Sequence, residues 1–249
     1  IFDRNYGKND PNYQFPPSYN KFIQGTLPFE QIDKAYKGYK YAINLNSIKQ
    51  SQTMFARRVL ELLASNTIVV SNFSRGVRQI FGDLIFCSDS GSEIIRRLEE
   101  TGADTTKLDR IRLAGLRKVM REHTYEHRLT YIMHKLSGRV PSLESPLFNV
   151  FCRVGSEKEL QSITAHINRQ LGVGITSTVI LDGPITKAAA ERILKDNDIK
   201  SSVCAIDKLG KRKVQELIQD TNWIAVMIAE DYYGSHYLLD LSLATNFSN

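Results

Sequence analysis

Short apolar or β-branched runs alternate with amphipathic stretches twice along this chain, and that alternation leaves few folds open. In the first half, Tyr39–Leu45, Thr67–Ser71 and Leu84–Cys87 read as strands, with TIVVS at 67–71 suited to a buried parallel position. A helix is expected from Pro28, where Phe29, Ile32, Ala35 and Tyr36 recur at three- and four-residue spacing. A stronger helical stripe, Phe55, Val59, Leu62 and Leu63, runs through Ser51–Ala64. Gly76–Phe81, Ser90–Thr101, Leu108–Arg121 and Thr124–Leu136 complete the helical set. Residues 137–146 (SGRVPSLESP) then break the pattern with Ser, Pro and Gly. Beyond them the alternation resumes. Strands Phe148–Arg153, Ser177–Asp182, Ser201–Ala205 and Trp223–Ile228 are separated by helices Ser156–Gln170, Lys187–Lys195 and Gly210–Thr221, and a last helix begins near Ser235. Alternation of this kind predicts parallel sheets covered by helices. The expected fold class is α/β, with two Rossmann-like parallel-sheet domains: residues 1–137, a linker at 138–146, and a truncated unit at 147–249.

The remaining features exclude whole classes. Residues 5–24 are rich in Asn, Pro and Tyr, and Pro16-Pro17 blocks regular structure there; a short strand is expected before it at Ile1–Asp3. Three unevenly spaced cysteines, Cys87, Cys152 and Cys204, do not make a disulfide scaffold and point to a reducing compartment. No apolar run approaches the roughly 18–20 residues of a membrane-spanning helix. No secretory leader is visible, and a start at Ile1 reads as an internal or processed end. These features together predict a cytoplasmic protein, at most peripheral at a membrane.

Charge is unevenly spread. Residues 1–137 carry 21 Lys/Arg against 14 Asp/Glu, whereas residues 138–249 carry 12 against 13, so the whole formal charge of +6 originates in the first part. Such an excess suits nucleic acid, an anionic surface or a phosphorylated small molecule. Nucleic acid is the weakest of the three, because no basic cluster with interleaved aromatics accompanies it and the one dense basic cluster, Lys208–Lys213, lies in the part without excess charge.

The chemistry-bearing segment is residues 47–81. A strand ending in Asn46-Ser47 and followed by a helix starting near Ser51–Thr53 would leave first-turn amides free for a pyrophosphate. Arg57 and Arg58 would sit one turn in, suited to neutralising an anion. Glu61, four residues after Arg57, shares its helical face; a carboxylate there can accept both hydroxyls of a ribose, and an ordinary surface ion pair is the competing reading. His123 and His127 invite a metal reading, with His134 seven residues on, but HTYEH is not the HEXXH motif and packing is the better reading.

The run TMFARRVLELLASNTIVVSNFSRGVRQIFGD, with KVMREHTYEHRLTYI after it, resembles the nucleotide-sugar-binding half of a GT-B glycosyltransferase, and within those the CgeB-like, spore-maturation group. The resemblance spans residues 1–137. Thr53 stands eight positions before Glu61, where many relatives carry Glu, and this favours the CgeB-like branch. The resemblance implies that Glu61 binds the donor ribose, that Arg57 and Arg58 lie near the diphosphate, and that Asn72, Ser74 and Gly76 line the donor pocket. It implies a uridine-diphosphate sugar or another nucleotide sugar as donor. It also implies a glycan, polysaccharide, protein or spore-coat acceptor, and a separate N-terminal GT-B half that would supply any general base. In the second part, EDYYGSHYL at 230–238 resembles the acidic strand-end block of GT-A glycosyltransferases, which implies a Mg or Mn site at Glu230 and Asp231. Ile228 and Ala229 occupy the first two places of that acidic run. Asp182, after strand residues VIL, would meet a donor base or ribose in such a fold, or cap the Gly183-Pro184 turn.

The sequence therefore predicts a glycosyltransferase fragment that binds a nucleotide-diphosphate sugar. A non-catalytic carbohydrate- or partner-binding protein on a transferase fold is the alternative.

Overall fold

The computed structural model describes residues 1–8, 10–138, 145–210, 217 and 223–247. The chain divides into two compact units, Ile1–Arg139 and Val140–Asn249. Each is built on its own parallel sheet, so the α/β expectation holds, with a sheet of three strands in the first unit and four in the second.

In the first unit, β1 (Tyr41–Asn44), β2 (Ile68–Ser71) and β3 (Phe86–Cys87) lie in the order β1-β2-β3, all parallel. Both faces of the central strand are covered, as a parallel sheet requires. On one face Val69 packs with Val59, Leu62 and Leu63 of α2 (Arg58–Ala64), with Val77 and Phe81 of α3 (Arg75–Phe81), and with Val119 of α5 (Thr105–Glu122). On the other, Ile68 and Phe86 meet Leu108 of α5 and Ile94 and Leu98 of α4 (Gly91–Gly102). Gly115 permits the close approach of α5 to α2, because a Cβ there would stand 2.8 Å from Leu63 Cδ2.

Three expectations are corrected here. The helix expected over Ser51–Ala64 begins only at Arg58. Its first half is diverted by polar side chains: Ser51 Oγ accepts from the Met54 amide at 3.0 Å, and Asn46 Oδ1 accepts from the Ala56 amide at 2.9 Å. Side-chain acceptors of this type offer the backbone an alternative to the helical ladder. The Met54 and Ala56 amides, in the stretch expected to offer free amides to a pyrophosphate, are thus engaged within the protein. Secondly, Ile1–Asp3 is not a strand; it is tied to the neighbouring loop by Gln24 N to Ile1 O and Asp3 N to Gly25 O, both 2.8 Å. Thirdly, the helix expected from Pro28 is shorter than its pattern, a 3-10 turn at Phe29–Gln31 followed by α1 (Ile32–Lys37). His123 and His127 lie on either side of a helix break, as the separate helices expected at Leu108–Arg121 and Thr124–Leu136 imply. His123 caps the C-terminus of α5, and α6 (Tyr125–Ser137) starts afresh with Thr124 as its N-cap.

In the second unit, β4 (Leu147–Val154), β5 (Gly174–Leu181), β6 (Ser201–Ala205) and β7 (Trp223–Val226) lie in the parallel order β6-β5-β4-β7. The chain builds outward from β4 to β6 and then returns to the far side of β4. That reversal creates a switch point at the carboxyl ends of β4 and β7. Val150, Cys152 and Val154 of β4 pack with Leu160, Ile163 and Ile167 of α7 (Glu157–Arg169), with Ile193 and Leu194 of α8 (Lys187–Asp196), and with Leu238 of α9 (Tyr237–Ala244). The helix expected over 210–221 and the linker at 138–146 fall largely outside the described residues, as does half of the basic cluster at 208–213. Among the described residues, no helix is long and apolar enough to cross a membrane.

Candidate functional site

The cleft that matters in the first unit is made where α1 leans on the start of α2. It has a volume of about 770 Å³, and Arg4, Tyr36, Leu45, Arg57, Arg58 and Glu61 line it. Arg57 occupies the N-cap position of α2 and Arg58 its first residue, so all three sequence-predicted residues of this group, with Glu61, fall within the opening turn. Glu61 is held from two sides. Arg57 Nε donates to its Oε1 at 2.7 Å, and the Tyr36 hydroxyl donates to its Oε2 at 3.2 Å. Tyr36 is fixed in turn through its carbonyl, which accepts from Thr67 Oγ1 at 2.6 Å. Burial first, and the neighbouring Glu61 charge second, push the Tyr36 hydroxyl above the ordinary tyrosine value, which keeps it protonated and donating. The Glu61 carboxylate likewise raises the Arg57 guanidinium, through their hydrogen bond and then their charge attraction.

The cleft has a surplus of positive charge. Arg57 is matched by Glu61, and Asp33, which also lines the cleft, is matched by Lys37 at 3.3 Å. Among the described residues, Arg4 and Arg58 have no carboxylate within ion-pair distance. Arg58 stands beside the Tyr36 hydroxyl. A pocket with two such guanidinium groups, one carboxylate and one phenol is chemically suited to a ligand with both an anion and hydroxyls.

Asn72, Ser74 and Gly76 do not line this cleft. Asn72 is paired with Asn46: its Oδ1 accepts from the Asn46 amide at 2.8 Å, and its Nδ2 donates to the Asn46 carbonyl at 3.0 Å. These two hydrogen bonds tie the carboxyl ends of β1 and β2 together. Ser74 is fully buried as the N-cap of α3 and accepts from the Val77 amide. Gly76 lets the 51–53 loop lie on α3, since a Cβ there would meet Gln52 O at 3.1 Å and Ser51 O at 3.3 Å. Residue spacing missed Arg4, Tyr36 and Asn46. Tyr36 read as one more apolar position of a helix, and nothing in local spacing links it to a residue 25 positions away.

His123 is engaged in packing and a polar contact within the first unit. The His123 ring lies 5.5 Å from that of Phe81, and Arg128 Nη2 is 3.2 Å from its Nδ1. Among the described residues, no three His, Cys, Asp or Glu side chains gather as a metal site.

In the second unit, Glu230 and Asp231 follow β7 beside the switch point, both exposed. Their turn is anchored from α7 and from Tyr233. Ser162 Oγ donates to Ala229 O at 2.8 Å, the Ile228 amide donates to Tyr233 Oη at 2.9 Å, and that hydroxyl donates to Asp231 Oδ2 at 3.3 Å. Asp182 follows β5 and is paired with Arg153.

A family model described as glycosyl transferase-like matches residues 4–134, more than half of the chain. The chain belongs to the glycosyl transferase-like family. The matched stretch contains the whole cleft formed by Arg4, Tyr36, Arg57, Arg58 and Glu61. A glycosyl transferase-like domain implies a sugar donor and an acceptor in general terms. No curated protein and no solved structure matches the chain.

Proposed function

We propose that the first unit binds a nucleotide-diphosphate sugar, with a uridine-diphosphate sugar as the first candidate, and serves its transfer to a glycan, polysaccharide or protein acceptor. The observation that carries this reading is the surplus of guanidinium groups in one cleft with Glu61. Arg57 and Arg58 would face the diphosphate, and Glu61 would accept the ribose hydroxyls. Charge stabilisation of the departing diphosphate is the chemical contribution such a cleft can make. Asn72, Ser74 and Gly76 would serve indirectly, by fixing the strand-end loops. The sequence blocks at 53–83 and 118–132 support a CgeB-like GT-B assignment within the family.

For the second unit we propose a GT-A-like role in which Glu230 and Asp231 offer two oxygen ligands to a Mg or Mn ion. The position of both residues beside the β4/β7 switch point favours it. Two carboxylates do not fill the coordination of such an ion, so phosphate oxygens and water would have to complete it.

The test is ligand-induced thermal stabilisation of the 249-residue chain by uridine and guanosine diphosphates at millimolar concentration. A ligand at 100 times its Kd stabilises by about 2.7 kcal/mol. We expect a clear rise in melting temperature with one nucleotide, abolished in Arg58→Ala and Glu61→Ala. No rise with either nucleotide would overturn the donor-binding reading.

A further inference from the structure

In the free protein the two groups assigned to the ligand already bind each other. Arg57 Nε is 2.7 Å from Glu61 Oε1, while the other carboxylate oxygen is held by Tyr36. The Arg57 side chain is 70% exposed and that of Glu61 35%, so a ligand in the cleft has access to both without unfolding anything. We propose that this pair is a latch which only a ligand carrying a vicinal diol and a neighbouring anion, a nucleoside diphosphate, can open at full return. This inference rests on the donor-binding reading above.

Ligand binding at this pair is an exchange of partners. A nucleoside alone offers hydroxyls to Glu61 but must first displace Arg57, which is then left without its carboxylate. Inorganic pyrophosphate alone recruits Arg57 and leaves the half-buried Glu61 carboxylate without its cation. Each fragment therefore works against the existing pair. The whole ligand replaces both partners at once, so that carboxylate and guanidinium each end with a new one. Tyr36 stays on the second oxygen throughout, which keeps the carboxylate oriented while its first oxygen changes partner. Selectivity for the intact nucleotide then comes from the pairing of the free state as well as from contacts in the bound state.

Removal of one half of the latch should consequently help one fragment and harm the whole. Titrations would follow uridine diphosphate, uridine and inorganic pyrophosphate by NMR at low ionic strength, with the Arg57 Nε–H resonance as a direct report on the pair. In Arg57→Ala we expect uridine to bind about two-fold more tightly than to the parent, the size of an exposed i,i+4 pair. In Glu61→Gln we expect pyrophosphate to gain by a similar factor. Uridine diphosphate should weaken by ten-fold or more in both. Weakening of whole and fragments together, with uridine diphosphate still bound by the parent chain, would overturn the latch and leave the donor-binding reading standing. If the parent chain binds no uridine diphosphate at all, both fail together. Backbone spectra of each variant that overlay on the parent confirm that the fold is retained.

Discussion

Tyr36, Arg57 and Glu61 show how one carboxylate can be held ready by two unlike donors. The phenol comes from a different element and the guanidinium from the same helix, so the group is fixed in direction without being buried. His123 is held in the opposite way. Burial is the chief cause that lowers its pKa below the ordinary histidine value, with Arg128 second, and its Nε2 is buried without a partner among the described residues. The folded protein therefore favours the neutral ring, whereas the unfolded chain takes up a proton near the usual value of about 6.5. Stability from this group is complete above that value and falls as the pH drops toward the lower folded one. We expect the unfolding midpoint of the chain to decline between pH 7 and pH 5. In His123→Phe, which keeps a ring against Phe81, the decline should be shallower. Urea titrations of both proteins at matched pH values measure it, and parallel pH profiles would remove His123 from the account.

At the scale of elements, the sequence was most readable where burial repeats. Strand Thr67–Ser71 and the stripe Val59, Leu62 and Leu63 could be placed because a central parallel strand and its covering helix must be apolar at fixed intervals. The start of α2 could not be read in the same way. Phe55 continues the apolar stripe, but Asn46 and Ser51 capture the Ala56 and Met54 amides, and Phe55 packs edge-on to Phe81 from a loop instead. A side-chain acceptor ten residues upstream leaves no periodic trace. For the same reason the cleft was half legible: Arg57, Arg58 and Glu61 lie within one turn, whereas Tyr36 and Arg4 reach them only through the tertiary fold. The close contact between Gly155 and Gly183 belongs to this scale too. A Cβ on Gly183 would stand 2.5 Å from Gly155 O and 2.8 Å from Gly155 Cα, so the loops that follow β4 and β5 would have to separate. We expect Gly183→Ala to cost about 2 kcal/mol, within the range of overpacked sites. Gly234→Ala, where a Cβ meets nothing within 4 Å, should cost far less. Denaturant midpoints of the two variants decide the point, and equal losses would contradict the contact.

For the molecule as a whole, the uneven charge gains a chemical meaning once the cleft is known. The excess of 21 basic over 14 acidic residues in 1–137 is spread over the first unit, but in the cleft it becomes specific, because Arg4 and Arg58 lack carboxylate partners among the described residues. An exposed site of this kind attracts an anion through a field that salt screens, with a Debye length of about 10 Å at 0.1 M and about 3 Å at 1 M. A nucleoside without phosphate feels almost none of that field. The affinity for uridine diphosphate should therefore fall by about ten-fold between 0.1 M and 1 M salt. The affinity for uridine should rise slightly or stay level, because salt also weakens the Arg57–Glu61 pair that uridine must displace. Calorimetric titrations of the two ligands across that range provide the comparison. If both ligands respond equally to salt, the cationic surplus of the cleft plays no part in recognition. The basic excess of the first unit would then have to act elsewhere on its surface.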